Sequence, residues 1–236
     1  MEAAVPRRNQ TRLASLGLID GLMPCGSRSI RLAPDPRAVF ADPPSGRSST
    51  TPVVSTWLET TSATTNTMHI RRLLPSDAIA FQTLRLRGLL ESPTAFGSSH
   101  EEEVDHPLPA IAESLAEGSG RNMFGAFIDT LLIGIVGIGR ETSLKERHRG
   151  FVRSMYVAPE ARRQGVGKAL MVEALQFATS IPGLRQLTLA VTAGNSAAIN
   201  LYEGFGFKIC GTAPEALYVH GRYHDELQMV CRLGES

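Results

Sequence analysis

From residue 68 onward, hydrophobic positions alternate between the two-residue period of strands and the longer period of helices. Seven segments predict strands: 69–73, 122–128, 131–140, 151–157, 184–191, 207–211 and 222–233. A tight turn at Asp129 and Thr130 joins the second strand to the third. We therefore expect an α/β (α+β) domain at 68–236, with a mixed, mostly antiparallel sheet of about seven strands flanked by four helices.

Four segments predict the helices. Ser76 can cap the first, which ends before Pro93. The second starts in the acidic run 101–103, is interrupted at two prolines and continues to Glu117. The third begins at Val166 and the fourth spans 196–203. The apolar face of the first helix is expected to contain Ile79, Phe81, Leu84, Leu86, and Leu89 or Leu90. The stripe of the third is expected to contain Val166, Leu170, Ala174 and Phe177.

Residues 1–67 differ in composition from the rest of the chain. They hold half of the 14 prolines, the single tryptophan and no lysine, and 45–67 is rich in Ser and Thr. Such a segment buries too little apolar surface to offset the entropy of ordering, so we expect it to be poorly ordered. We hypothesise that translation begins at Met68, which would make 1–67 a dispensable or non-native leader. Its arginines and hydroxyl residues also suit a transit peptide, although its acidic residues argue against one.

Charge and composition exclude several classes of protein. A formal charge of +1 argues against a general binder of nucleic acid or of membrane surfaces, which needs a clustered basic excess. The longest apolar stretch, 131–138, contains two glycines and is too short to span a bilayer. Cys25, Cys210 and Cys231 have no metal-ligand spacing, so we expect no metal site. Their odd, sparse count favours a reducing compartment, and we expect a cytoplasmic monomer or homodimer.

The most informative motif is a glycine turn, residues 162–167, between a predicted strand and a predicted helix. Gly165 and Gly167 lack Cβ atoms and so let a ligand approach the backbone. The unpaired amides of the next helical turn and the helix dipole favour an anion there, and Arg162, Arg163 and Lys168 add positive charge. This arrangement suits a phosphate.

Two blocks of sequence resemble the GNAT superfamily of N-acetyltransferases. Arg162, Gly165 and Gly167 fill its acyl-CoA signature, Q/R-x-x-G-x-G/A. The run 195–207 is similar to its N-x-x-A-x-x-L-Y-x-x-x-G-F block. The resemblance covers the chain from about Met68 to the C-terminus. It implies the GNAT acyl-CoA N-acyltransferase fold and transfer of an acetyl group from acetyl-CoA, as co-substrate, to a primary amine by direct attack in a ternary complex.

The resemblance also implies a set of site residues. The fourth and fifth strands of the domain should splay apart, so that Met155 offers a backbone N–H to the thioester oxygen and Val157 pairs with the pantetheine amides. Tyr202 should act as general acid, because a phenol with a pKa of about 10, above the value of about 8.5 for a thiol, is neutral at pH 7 and still carries its proton when the thiolate departs. Asn195 should cap the last helix, contact the cofactor, or do both. The remaining expected cofactor-binding residues are Arg162, Arg163, Gln164, Gly165, Val166, Gly167 and Lys168.

The general base departs from the pattern of some superfamily members. Some members of the superfamily carry a glutamate four residues before the position of Met155, where this chain has Phe151. Glu141, after the third strand, or ordered water is the expected substitute. Glu141 is better explained as a solvated strand end.

The acceptor and the function class have alternatives. The loop 91–99 resembles the acceptor-side loop of bacterial superfamily members, and Phe96 either walls an amine pocket or fills the core of the loop. Small-molecule amines, amino acids, peptide N-termini and protein lysines all suit the sequence. A non-catalytic acyl-CoA-binding module is the alternative function. An oxidoreductase that binds a dinucleotide at the glycine turn fits poorly, because the third small residue of G-x-G-x-x-G is missing.

Overall fold

A computed structural model describes residues 67–118 and 121–234, together with the backbone of 28–30. The backbone alone is described at Arg121 as well. The expectations for 1–67 otherwise lie outside the described residues and stay predictions. Among the described helices, none combines the length and the apolar character needed to cross a membrane.

Eight described strands form one sheet, with the order β1-β2-β3-β4-β5-β6-β8-β7. Every neighbouring pair is antiparallel except β5 and β6. The predicted mixed, mostly antiparallel sheet is thus confirmed, and a short strand within 1–67 adds to its edge. The strands are β1 Arg28–Ile30, β2 Met68–Arg72, β3 Arg121–Ile128, β4 Leu131–Arg140, β5 Arg149–Val157, β6 Gln186–Thr192, β7 Lys208–Val219 and β8 Arg222–Arg232.

Five α-helices in the described residues cover the two faces of the sheet. They are α1 Ala78–Glu91, α2 His100–Glu103, α3 Leu108–Leu115, α4 Val166–Ser180 and α5 Ser196–Glu203. Short 3₁₀ turns at Pro75–Asp77, Pro93–Ala95 and Pro159–Ala161 connect them to the sheet. The predicted second helix is therefore two helices, which separate before Pro107, the N-cap of α3, whereas Pro109 is accommodated in the first turn of α3. The second of these helices ends at Leu115 rather than Glu117.

The core has one layer on each face of the sheet. On one face, α4 packs Leu170, Met171 and Ala174 against the strands, as the predicted stripe requires, and α5 adds Tyr202. On the other face, α1 and α3 pack against β3, β4 and β5 through Leu89, Ile111 and other buried side chains. The sheet therefore separates an α4/α5 side from an α1/α3 side.

The predicted apolar face of α1 is partly wrong. Leu84 and Leu89 are buried, but Ile79 is 66% exposed, and Gln82 and Arg85 lie on the buried face instead. Gln82 donates to the backbone carbonyl of Glu103 at 2.8 Å, and Arg85 pairs with its carboxylate. The inward face of α1 thus contains polar residues because α2 supplies partners for them.

The C-terminal hairpin is longer than predicted. Strand β7 continues to Val219, where the sequence predicted a strand ending at 211. A two-residue turn at His220 and Gly221, with φ values of 49° and 77°, joins it to β8. A register irregularity between Ala213 and Leu217 breaks the alternation of apolar residues there, which is why the pattern did not indicate a strand.

Candidate active site

Strands β5 and β6 separate soon after they begin. Their parallel pairing is limited to Arg149 with Gln186, Gly150 with Leu187, and Phe151 with Thr188. Beyond Phe151 the β6-facing backbone groups of β5 have no ladder partner. A cleft of about 80 Å³, which we call the transfer cleft, opens between the strands. It is lined by Ala95, Val152, Arg153, Ser154, Met155, Ala190, Val191, Thr192, Asn195, Ala198, Tyr202 and Glu226.

A β-bulge lies in β5 at the transfer cleft. The register with β4 passes from Gly137–Arg153 to Ile135–Tyr156, so Ser154 and Met155 together lie opposite Val136. Ser154 has a φ of 54°, in the left-handed region that residues other than glycine rarely adopt. The sequence analysis missed this bulge, because neither residue is a glycine.

The bulge decides which side chains of β5 face which side of the sheet. Met155 and Val157 pack on the α4/α5 side. Tyr156 is buried on the α1/α3 side, with 5% exposure, opposite to its two neighbours. Met155 thus lies at the cleft, with its backbone in the bulge.

The glycine turn has the geometry of an anion site. Gly165 is the N-cap of α4 with a φ of 80°, and a Cβ placed there would meet open space. The first backbone bond into the turn is from Ala169 to the carbonyl of Gly165, at 2.9 Å. The N–H groups of Val166, Gly167 and Lys168 have no acceptor among the described residues, as expected for the first turn of a helix. These donors and the open space fit a phosphate group.

The charged side chains of the glycine turn differ in their surroundings. Arg163, with a φ of 61°, and Lys168 are exposed. Gln164 donates its side-chain amide to the carbonyl of Glu160 at 2.9 Å, which leaves its backbone as the part that faces a ligand. Gly167 lies on the first turn of α4, where a Cβ would come within ordinary contact distance of the Met155 and Leu201 side chains, so the turn and the transfer cleft adjoin.

Arg162 contacts the protein rather than open space. It donates to the carbonyl of Val157 at 2.9 Å and to both carboxylate oxygens of Glu91 at 2.9 and 2.5 Å. The buried Tyr156 hydroxyl donates to the same carboxylate at 3.0 Å. Hydrogen bonding from Arg162, and secondly from Tyr156, holds the pKa of Glu91 below its usual range. The signature arginine therefore ties the glycine turn to the end of α1.

Tyr202 lies on α5 with 7% exposure and lines the transfer cleft. Its ring packs against Phe207 with centroids 5.9 Å apart. Its hydroxyl has no hydrogen-bond partner among the described residues, and burial raises its pKa to about 12. A neutral phenol with a free proton donor thus lies beside Met155.

Asn195 is the N-cap of α5 and also lines the transfer cleft. Its side-chain oxygen accepts from the N–H of Ala198 at 3.1 Å. The structure therefore shows the capping function, and the amide nitrogen is left for a ligand. The 3₁₀ turn Pro93–Ala95 closes this end of the cleft, because the Thr192 hydroxyl donates to the carbonyl of Thr94.

The expected base, Glu141, lies away from the transfer cleft. Its N–H bonds to the carbonyl of Arg149 at 3.0 Å, at the first residue of β5. Met155 is six residues further along, which is about 20 Å at the rise of a strand. The antiparallel pairing of β4 with β5 places Glu141 at the far end of the hairpin, so that, contrary to the expectation for a base, it does not line the transfer cleft.

Glu226 is the carboxylate that the sequence analysis missed. It lies on β8 opposite Thr192 of β6, is half-buried and lines the transfer cleft. Its distance of 24 residues from Tyr202 in the chain gives no local signal, and only the pairing of β6 with β8 brings it to the site. Among the described residues no three His, Cys, Asp or Glu side chains form a group that could hold a metal ion.

The loop 91–99 packs into the α1/α3 core. Phe96 is 7% exposed and lies 6.1 Å from Tyr156 and beneath the Arg85 guanidinium, so it fills the core. Of the acidic residues that follow, Glu102 forms a capping box with Ser99, and Glu103 pairs with Arg85. A structural function thus accounts for both carboxylates.

The chain is similar in sequence to known acetyltransferases. A sequence model of the Acetyltransferase (GNAT) family matches residues 87–207. Aminoglycoside N(6')-acetyltransferase type 1 of Stenotrophomonas maltophilia is 31% identical over 60% of this chain and 84% of its own length. The L-amino acid N-acetyltransferase AaaT of Escherichia coli is 28% identical over 54% of this chain and 78% of its own length. Spermidine N(1)-acetyltransferase of Vibrio cholerae is 30% identical over 40% of this chain, which spans about half (55%) of that enzyme.

Solved structures have the same fold. An acetyltransferase of the GNAT family from Streptococcus pneumoniae superposes with a TM-score of 0.62 at 25% identity, over 71% of this chain and 99% of the other. A phosphinothricin acetyltransferase from Sinorhizobium meliloti, solved in complex with AcCoA, superposes with a TM-score of 0.61 at 23% identity, over 70% and 88% of the two chains.

Proposed function

The chain belongs to the Acetyltransferase (GNAT) family, and on that premise we propose that it transfers an acetyl group from acetyl-CoA to a primary amine in a ternary complex. The observation that carries this proposal is that two features of the site lie next to each other. The unpaired N–H groups at the start of α4 adjoin a cleft that contains Met155 and Tyr202. Diphosphate binding and acyl transfer need these two features side by side.

The glycine turn binds the diphosphate of acetyl-CoA in this proposal. The backbone N–H groups of residues 164–168 donate to phosphate oxygens, supported by the dipole of α4. Arg163 and Lys168 add charge from the surface. Arg162 acts indirectly in this proposal. Its guanidinium is bound to Glu91 and so orients the turn. Val157 pairs with the pantetheine amides, and Asn195 contacts the cofactor with its amide nitrogen.

The transfer cleft carries out the chemistry. The N–H of Met155 donates to the thioester oxygen, which becomes negative as the amine nitrogen bonds to the carbonyl carbon. The C–S bond then breaks, and the Tyr202 hydroxyl gives its proton to the sulfur. The proton released by the new amide nitrogen passes to solvent, from which Tyr202 is reprotonated. A buried phenol suits this step, because its raised pKa keeps it protonated until a thiolate forms.

Glu226 is our proposed general base. An amine arrives as an ammonium ion, so one proton must leave before the nitrogen can attack. Glu226 is the only carboxylate among the described residues that line the transfer cleft. It accepts that proton directly or through one water molecule and passes it to solvent.

The relatives differ in the acceptors that their names give, which are a polyamine, an amino acid and an aminoglycoside. We propose a small-molecule amine as the acceptor for this chain too. A cytoplasmic location and a monomeric or dimeric state remain predictions, which cell fractionation and light scattering can check.

A thiol-release assay of the full chain tests the proposed function. Incubation with acetyl-CoA and a panel of amines should release free thiol in proportion to the acetylated amine found by mass spectrometry. Binding of acetyl-CoA without thiol release for any amine would favour the non-catalytic binding module. Absence of acetyl-CoA binding would contradict both functions.

A further inference from the structure

Two cavities border helix α1, and only one of them shares residues with the transfer cleft. The first, of about 380 Å³, lies between the helices α1 and α3 and the strands β3, β4 and β5. We call it the helical cavity. It shares Arg153 and Ser154 with the transfer cleft. The second, of about 520 Å³, lies between β7 and the loop that joins α1 to α2, and it shares no residue with the cleft. An acceptor that occupies the helical cavity can therefore present its amine at the cleft.

The charges of the helical cavity are mostly paired. Arg85 donates to Glu103 from Nε at 2.9 Å and from Nη2 at 2.7 Å, and Nη2 also donates to Ser98. This pair contributes no net charge to the cavity. His106 is the other basic side chain in the lining beside Arg153.

Unlike Arg85, Arg153 has no ion pair among the described residues. Its guanidinium lies 3.7 Å from the centroid of the Phe151 ring, on the face of β5 that forms the helical cavity. Gly139 on β4 makes room for that ring, because a Cβ there would overlap it. An oriented, unpaired cation thus lies where the helical cavity meets the transfer cleft.

The transfer cleft also contains the half-buried carboxylate of Glu226. A cation and an anion that line one small cleft match a ligand with both charges close together. Building on the acetyltransferase function above, we propose that the acceptor is an amine with a neighbouring carboxylate, as in an α-amino acid. Arg153 binds the carboxylate and determines specificity, and Glu226 receives the ammonium group.

The charge of Arg153 also acts against polycationic acceptors. A spermidine-like or aminoglycoside-like amine would bring a second positive charge to the place where the helical cavity meets the transfer cleft. The Arg153 guanidinium would repel that charge. The apolar part of the lining, which includes Phe81, Ile111 and Met123, is left for the acceptor side chain.

The experiment compares L-methionine and L-phenylalanine with their α-amides, which keep the amine and lose the negative charge, and with spermidine. Wild type should acetylate the free acids with a kcat/KM at least about tenfold above the amides, the factor typical of one charge-assisted hydrogen bond. Arg153→Gln should raise the KM for the acids about 10- to 100-fold and leave the KM for the amides and for acetyl-CoA within about threefold. Arg153→Lys should restore part of the preference.

Arg147→Gln is the matched control, because Arg147 is an exposed arginine in the turn between β4 and β5, away from the cleft. A wild type that acetylates the amides or spermidine as well as the acids would overturn the inference and leave the acetyltransferase function intact. An unchanged acid-to-amide ratio in Arg153→Gln would overturn it too. Calorimetric binding of L-methionine to the protein with desulfo-CoA added separates the two proposals. If wild type binds L-methionine without acetylating it, and Arg153→Gln does not bind it, the acetyltransferase function would be refuted and the inference about Arg153 would stand.

Discussion

Glu91, the last residue of α1, holds Arg162 at the start of the glycine turn through two hydrogen bonds, and Tyr156 donates to the same carboxylate. One turn earlier on α1, Arg87 forms a two-bond pair with Glu160, with both distances at 2.7 Å. These two pairs thus fasten to α1 the segment that leads into α4.

Glu91→Gln should weaken acetyl-CoA binding, because it weakens the contact that holds Arg162 to α1. The partners are about two-fifths and one-third exposed, so we expect a stability loss of only about 1 kcal/mol, seen as a fall in Tm of about 2–4 °C. The KM for acetyl-CoA should rise several-fold while kcat is retained, because the turn is less well oriented and Tyr202 is untouched. Steady-state kinetics and calorimetry measure both effects. Glu117→Gln, in the exposed pair with Arg72, is the control and should match wild type.

Gly165→Glu should abolish acetyl-CoA binding. The substitution places a negatively charged side chain in the open space beside the α4 amides and strains a φ of 80°. Gly221→Glu is a matched control, since Gly221 has a φ of 77° and equally open surroundings in the β7–β8 turn. Titration of each variant with acetyl-CoA should show loss of affinity at 165 alone. Equal affinities in the two folded variants would remove the phosphate site from the glycine turn.

Tyr202→Phe should lower kcat by about 100-fold, in the range of general acid–base catalysis, with little change in the Kd for acetyl-CoA. Its stability should stay close to that of wild type, because the hydroxyl has no partner to lose among the described residues. Tyr218→Phe, on a 65% exposed tyrosine of β7, is the control. A wild-type kcat in Tyr202→Phe would show that another group protonates the sulfur.

The pKa of about 12 at Tyr202 predicts the alkaline behaviour. A folded pKa above the unfolded value of about 10 means that the neutral phenol favours the folded state. That stabilisation is fully present below pH 10 and is lost as pH rises towards 12. The kcat should therefore show no Tyr202-dependent fall below about pH 10. In a pH titration of tyrosinate absorbance, Tyr202→Phe should lack one tyrosine that ionises at high pH in wild type. An inflection in kcat near pH 8 that disappears in this variant would contradict the assignment.

Glu226→Gln should lower kcat/KM by about 100-fold at pH 7, and the loss should shrink as pH rises, because more of the acceptor is then already neutral. Glu141→Gln should behave as wild type, since Glu141 lies at the far end of the β4–β5 hairpin. The pH profiles of the two variants, measured with one acceptor, provide the comparison. Wild-type activity of Glu226→Gln at pH 7 would show that water, and not Glu226, accepts the proton from the ammonium group of the acceptor.

Local sequence predicted the parts of the site that lie within one stretch of chain. Gly165, Val166, Gly167 and Asn195 are where the motifs indicated, because a strand, a glycine turn and a helix start depend on neighbours a few residues away. The order of strands and helices followed from hydrophobic period for the same reason. Arg162 was identified by its position, but its partner Glu91 lies 71 residues away, so its contact was not predictable.

The sequence by itself determined most of the strands and helices and where an anion site can form, since these depend on backbone propensity over a few residues. The tertiary structure alone decided that Glu226 rather than Glu141 reaches the cleft, and that the Ser154 bulge directs Met155 and Arg153 to opposite faces. Strand register and the separation of β5 from β6 set these positions. Both depend on pairing between segments far apart in the chain, which a local pattern does not encode.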